Sequence, residues 1–328
     1  MARPAAARYL GRAAQEEGPV RIAIMGSGGV GGYFGARLAR GGADVTFVAR
    51  GAHLAAMREH GLTIESAHEP IHLPKVNATD DPKSIGPVDV VLFCVKLWDT
   101  ESAARSLVPV MGPRSAIISL QNGVQKDDTL RAMFGNEAVM GGVGYMATTV
   151  ARPGVIAQTG SLQRLIFGEY SGQRSARAEA LLAACLKGGI DAAISTDIRR
   201  AIWEKYVFLV GLSGATAATR LPLGPIRGNP HSRQFLLDLI CEAVAVGRAH
   251  GVALPEDYAE QRLAFGDTLP HDMTSSMHHD LERGRPLEVR WLSGGVVELG
   301  AAVGVPTPAN RAVHDILILH AEGRTQKQ

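Results

Sequence analysis

The chain has little cysteine, little net charge and no long apolar run, and each shortage excludes something. Only three cysteines occur in 328 residues, Cys94, Cys185 and Cys241, far apart and without a CxxC pair. That excludes a disulfide framework and points to a reducing, cytoplasmic setting. A net charge of +2 gives no broad electrostatic basis for binding nucleic acid or a membrane surface, so any bound anion needs a local site. No apolar run approaches the ~18 residues that span a bilayer. Adjacent His278 and His279 would point about 100° apart on a helix. A metal site drawn from His271, His278, His279 and Asp280 is therefore set aside. Repeats and low-complexity blocks are also missing.

What is present is apolar residue in quantity, 46% of the chain, enough for two sizeable cores. Residues 1–19 are rich in Ala and Arg without a periodic apolar face. A transit peptide shares that composition, but a disordered tail is the plainer reading for a chain terminus.

From residue 20 to about 195, short apolar runs alternate with helical stretches, the pattern of βαβ units and a doubly wound parallel sheet. Strands are expected at Val20–Met25, Asp44–Ala49, Ile71–Leu73, Val88–Val95, Ala116–Leu120 and Val139–Tyr145, with Val155–Ala157 and Leu165–Phe167 spaced like a hairpin. A helix is expected over Val30–Arg40. From 196 to 328 the texture turns helical, with helices at Ile198–Leu212, Ser232–His250, Glu256–Phe265, Met273–Arg283 and Glu288–Val303. The segments 221–230 and 269–272 break them, and Asn229–Pro230 reads as a helix cap with a first-turn proline. The expected architecture is thus a Rossmann-type α/β domain followed by an all-helical one.

Between the first strand and helix lies GSGGVG: Gly26, Ser27, Gly28, Gly29, Val30 and Gly31. At GxGxxG spacing, Gly26 permits a tight turn, Gly28 lets the backbone approach a pyrophosphate, and Gly31 allows close helix–strand packing. The helix N-terminus then faces the phosphates with free N–H groups. A chance glycine turn would not also have the flanking strand, helix and second strand in place. At the end of that second strand, an NAD site carries an acid for the ribose 2′-OH. Here Arg50 stands instead, with no carboxylate nearby, and a guanidinium suits a 2′-phosphate. The expected cofactor is NADP(H); a solvated surface arginine is the bland alternative.

Two strands end on polar residues, Lys96 and Asn122, beside this loop, where ligands sit in such folds. A solvated lysine and a turn asparagine are the competing readings. On the helix from Ile198, Lys205 falls on the stripe of Ile198, Ile202 and Leu209, while Glu204 points away. A lysine there is paired, snorkels, or faces a cavity, and desolvation would lower its pKa toward proton donation. Glu288 aligns in the same way with Leu292, Gly295 and Leu299, which leaves open a buried structural ion pair. Between them, Met273, Ser276, Met277 and Asp280 share a helix face. Ser276 would bond a carboxylate or hydroxyl, or simply its own backbone.

Taken together, the GSGGVG loop, Lys96 in CVKLWDT, Asn122 in LQNGV, Lys205 in IWEKYVF, and SSM at 275–277 followed by Glu288 resemble the ketopantoate reductase (2-dehydropantoate 2-reductase) family. The resemblance covers residues 20 to about 320. It implies NADPH-dependent reduction of a 2-keto acid, as in pantothenate synthesis, with Lys205 protonating the carbonyl oxygen. It implies that Ser276 contacts substrate, Glu288 the nicotinamide ribose and Asn122 both cofactor and substrate. Lys96 would line the same cleft and the backbone at Ala147 would lie near the cofactor. The family's catalytic helix carries asparagines four and eight residues past the lysine, with a third in the loop beyond. Here these are Leu209, Ser213 and Leu223, so Ser213 is the one polar candidate left to meet substrate there. The alternatives are a reductase of a different apolar 2-keto acid or an imine, and a non-catalytic NADPH-binding regulator. A small molecule is the expected partner, and association into a homodimer is compatible with the sequence.

Overall fold

The computed structural model describes residues 18–67 and 69–324. The tail expected over residues 1–19 lies outside them, apart from residues 18 and 19.

The chain opens with β1 (Arg21–Met25), α1 (Gly29–Arg40), β2 (Asp44–Val48) and α2 (Gly51–His60). β3 (Leu62–Glu65), β4 (Ile71–Leu73), β5 (Asn77–Thr79), β6 (Val88–Phe93), α3 (Thr100–Ser106), β7 (Met111–Ser119) and α4 (Lys126–Phe134) follow. The domain closes with β8 (Val139–Arg152), β9 (Val155–Gly168), α5 (Ala176–Lys187) and β10 (Asp191–Ile194). β5, β2, β1, β6, β7 and β8 lie side by side and parallel. Helices cover both faces, so the strands are continuously apolar. Ile22, Ile24, Phe47 and Leu92 pack on one side, and Ala23, Met25, Val91 and Phe93 on the other.

The sheet differs from the expectation at its far end. Val155–Ala157 and Leu165–Phe167 are not a hairpin but parts of one fourteen-residue strand, β9. The hairpin is formed by β8 and β9, joined at Pro153–Gly154, with Arg152 opposite Val155. β8 is also fourteen residues long and takes two register shifts. It therefore leaves the parallel sheet and carries on antiparallel to β9, which pairs on its other side with β3 and β10. A run broken by polar residues concealed this length.

The second domain comprises α6 (Ile198–Thr219), α7 (Leu223–Gly228), α8 (Pro230–Ala249), α9 (Tyr258–Asp267), α10 (Ser276–Glu282), α11 (Ser293–Val303) and α12 (Pro308–Leu317). Asn229 caps α8 as expected, its side chain accepting from the His231 and Ser232 amides. Three expectations need correction. The 221–230 segment holds the short helix α7 rather than a plain loop. The helix expected from Met273 begins only at Ser276, because the His271 and Met273 carbonyls accept instead from Gly224 and Leu223 of α7. Glu288 does not belong to the helix that ends at Val303. It sits in a 3-10 turn, Glu288–Arg290, because the backbone leaves helical geometry at Leu292 (φ −85°, ψ −96°) and α11 starts only at Ser293.

The domains meet where α6 crosses β8. Gly141 makes that crossing possible: a Cβ there would run into Ile198 and Ile202 of α6. Glycine at this strand position therefore sets how near the next turn of α6 comes to the sheet.

Candidate active site

The glycine loop sits at the carboxyl end of β1. Gly26 adopts φ +94°, and a Cβ on Gly31 would overlap the Gly26 carbonyl and the Ile24 side chain. Gly28 is different: an added Cβ would meet nothing within 4 Å. That open space, ahead of the free amides of the first turn of α1, fits the pyrophosphate of a dinucleotide. The Ser27 amide and hydroxyl both bond the Val48 carbonyl at 3.0 Å, tying the loop to the end of β2. Arg50 caps α2 just beyond, exposed, and among the described residues no carboxylate pairs with it. On the other side, the Thr148 carbonyl of β8 lies against Gly29, which brings the Ala147 backbone beside the loop.

These glycines separate two effects. Gly31→Ala should cost on the order of 1–3 kcal/mol of stability, because the added carbon meets backbone that cannot give way. Gly28→Ala should leave Tm within about 2 °C of wild type yet weaken dinucleotide binding about tenfold, a loss of about 1.4 kcal/mol. Thermal melts with and without dinucleotide check both.

His53 was not foreseen. The Gly154 amide donates to its Nδ1 at 3.0 Å, so the ring proton lies on Nε2 and is donated to the Ser27 carbonyl at 2.9 Å. Burial holds this imidazole below its usual pKa, consistent with a neutral ring joining the loop to the β8–β9 turn.

The second cluster joins the domains. The Lys205 ammonium donates to Asn122 Oδ1 at 3.2 Å and to the Gly144 carbonyl at 2.8 Å. The Asn122 amide donates onward to Glu288 Oε2 at 3.3 Å, and the Leu97 amide donates to Glu288 Oε1 at 3.4 Å. Lys96 lies 3.8 Å from Glu288 and 3.1 Å from Asp280. Four of the expected residues therefore converge: Lys96, Asn122, Lys205 and Glu288. The buried lysine–glutamate ion pair left open by the sequence is not formed, since Asn122 stands between the two.

The two lysines differ electrostatically. Burial pushes Lys205 down to about 8, nearby Lys126 adds to that, and Glu288 opposes it. Burial opposes the charge on Lys96 too, but Glu288 and Asp280 outweigh it and hold that ammonium above its ordinary value. One cation is poised to release its proton and the other is held charged.

Other expected residues are placed less centrally. Ser276 is the exposed first residue of α10, one turn before Asp280, the residue that pairs with Lys96. Ser213 is fully buried with an unpartnered hydroxyl, and Leu223 packs in the helical core; neither lines the cleft beside Lys205. Leu209 does, together with Asn122, Val143 and Ile202. The sequence reading also missed Lys126, a buried lysine on the same cleft. Among the described residues, no three His, Cys, Asp or Glu side chains gather as a metal site.

Comparison with known proteins gives the same outline. Residues 22–172 match the family described as ketopantoate reductase PanE/ApbA, and residues 197–321 match its C-terminal part. The chain is 33% identical to a 2-dehydropantoate 2-reductase of Mesorhizobium japonicum, over 90% of this chain and 95% of that one. It is 31% identical to an uncharacterized oxidoreductase of Bacillus subtilis, over 90% and 97% of the two chains. A crystal structure of a ketopantoate reductase from Ralstonia eutropha superposes with a TM-score of 0.84 at 35% identity, covering 92% of this chain and 98% of that one. With a glycine loop on one domain and a lysine of the next closing on it through Asn122, the chain belongs to the ketopantoate reductase family of oxidoreductases.

Proposed function

We propose that the protein reduces a small 2-keto acid to the 2-hydroxy acid with NADPH, in the manner of a 2-dehydropantoate 2-reductase. The observation that carries this reading is Lys205, held in the interdomain cleft by two uncharged acceptors and, among the described residues, by no carboxylate. Reduced nicotinamide, when bound, supplies the hydride to the carbonyl carbon. Lys205 then has one task, to give its Nζ proton to the carbonyl oxygen as negative charge gathers there, becoming a neutral amine that regains a proton from solvent. Asn122 orients that ammonium and is itself held by Glu288. Lys96, kept charged, suits the substrate carboxylate, with Ser276 on the facing helix, and Glu288 suits a ribose hydroxyl. Residues Gly26 to Gly31 hold the pyrophosphate and Arg50 the 2′-phosphate. The unpaired Cys94, half-buried, and Cys185, buried, both with thiols pushed up to about 12 by burial, support a reducing compartment such as the cytoplasm.

Leu209 favours a second reading within the same chemistry. It stands one turn from Lys205 on the cleft wall, where a substrate hydroxyl would find no partner, a loss of roughly 1–3 kcal/mol. The preferred substrate would then be an apolar 2-keto acid. The test is NADPH consumption with 2-dehydropantoate and with 3,3-dimethyl-2-oxobutanoate, which is the same acid without its hydroxyl. Steady turnover of either supports the reductase, and a higher kcat/KM for the second supports the apolar site. No turnover of either, or of other 2-keto acids, would leave a non-catalytic NADPH-binding protein.

The pH dependence has a definite sign. A donor whose pKa is lowered to about 8 is protonated and competent below that pH and loses its proton above it. Reduction should therefore decline above pH 8, toward tenfold per unit, while the reverse oxidation, which needs the neutral amine, should gain. Rate profiles in both directions check this.

A further inference from the structure

Lys126 is the first residue of α4, the helix end where the backbone dipole disfavours a cation, and it is 3% exposed. A buried ammonium must have its donors satisfied, and the partners of this one are specific. It donates to the Ser119 carbonyl at 2.5 Å, to the Gly142 carbonyl at 3.1 Å and to Asp127 at 3.3 Å. Ser119 ends β7, three residues before Asn122. Gly142 lies on β8, two residues before Gly144. The two segments that Lys126 ties together are therefore those that supply both acceptors of Lys205. Asp127 is fixed in turn by the Tyr170 hydroxyl at 2.5 Å. Both lysines line one cleft.

We propose that Lys126 is a positioning residue for the proton donor: its ammonium clamps the backbone segments bearing Asn122 and Gly144, and its charge opposes that of Lys205 on the same cleft. This rests on Lys205 being the donor. The other groups around Lys205 do not supply the same effect. Glu204, its neighbour on α6, turns away to Arg200 at 2.8 Å, and the Tyr145 ring of β8 lies 5.9 Å from the Lys205 ammonium. Glu288 acts in the opposite sense, and Lys96 is engaged with Glu288 and Asp280. Lys126 is the cation left to favour release of the proton.

The test measures Lys205 directly. The pH dependence of its acetylation by acetic anhydride, read by peptide mass spectrometry, gives its midpoint whether or not the enzyme turns over. In Lys126→Met, and in Lys126→Met with Asp127→Asn so that no lone carboxylate stays buried, the midpoint should rise by about one pH unit. The alkaline limb of the rate profile should rise with it. An unmoved midpoint in either variant, with a wild-type Tm, overturns the proposal, as does failure of both variants to fold, which would assign Lys126 to stability alone. A midpoint that rises while the rate profile stays fixed keeps the coupling between the lysines and removes Lys205 as the donor.

Discussion

Lys205→Ala should lower kcat for keto-acid reduction by about 10²–10⁴-fold, the usual worth of a positioned general acid. NADPH affinity should change little, because the glycine loop and Arg50 lie on the other domain. The size of the effect follows from the surroundings of Lys205. Its two partners, Asn122 Oδ1 and the Gly144 carbonyl, accept hydrogen bonds but have no proton to give. Lys126, on the same cleft, spends its donors on the Ser119 and Gly142 carbonyls and Asp127, and nearby Lys96 is held protonated by Glu288 and Asp280, so both are poor substitute donors. Lys205→Arg sharpens the test: guanidinium keeps the charge but does not deprotonate in proteins, so it should bind as well as lysine and still react slowly. NADPH binding by fluorescence, set against single-turnover rates, separates the two steps. Wild-type turnover in Lys205→Ala would end the proposed mechanism.

What the sequence disclosed and what it concealed divide by the range of the contacts involved. The glycine loop was legible because Gly26, Gly28 and Gly31 answer to local backbone demands within one turn and one helix start. Lys205 was legible because its helical stripe is also local, and Ile198 and Ile202 indeed bury against β8. Glu288 was judged buried for an imperfect reason. It is 6% exposed, but in a 3-10 turn cut off from α11 by the backbone break at Leu292 rather than on the helix that its periodicity implied. Lys126 was invisible. Nothing in LQNGVQKDD distinguishes it from a solvated helix lysine, because its burial depends on carbonyls of β7 and β8 and on Tyr170, forty-four residues later. The β8–β9 hairpin was mistaken for the same reason, since pairing across a turn is a long-range fact. Ser213 had been a substrate candidate by its place in the helix. Its hydroxyl instead lies in the helical domain without a partner, and the structure supplies no account of it.

The remaining large effect belongs to Arg50. In wild type, NADPH should bind at least about tenfold more tightly than NADH, since a charge-assisted bond to phosphate is worth about 1.5–3 kcal/mol. Arg50 is exposed at the end of β2, beside the Ser27–Val48 bonds that fix the loop, and among the described residues no carboxylate neutralises it. Arg50→Ser should therefore raise the KM for NADPH about 10–100-fold while leaving the KM for NADH nearly unchanged, because only the 2′-phosphate loses a partner. Arg50→Asp should go further: its carboxylate repels the phosphate and accepts from a ribose 2′-OH, so the preference should invert toward NADH. Salt offers an independent check. Added chloride screens an exposed guanidinium and should erode NADPH binding more than NADH binding. If wild type instead bound NADH tenfold better than NADPH, Arg50 would be a solvated surface residue and the cofactor assignment would fall.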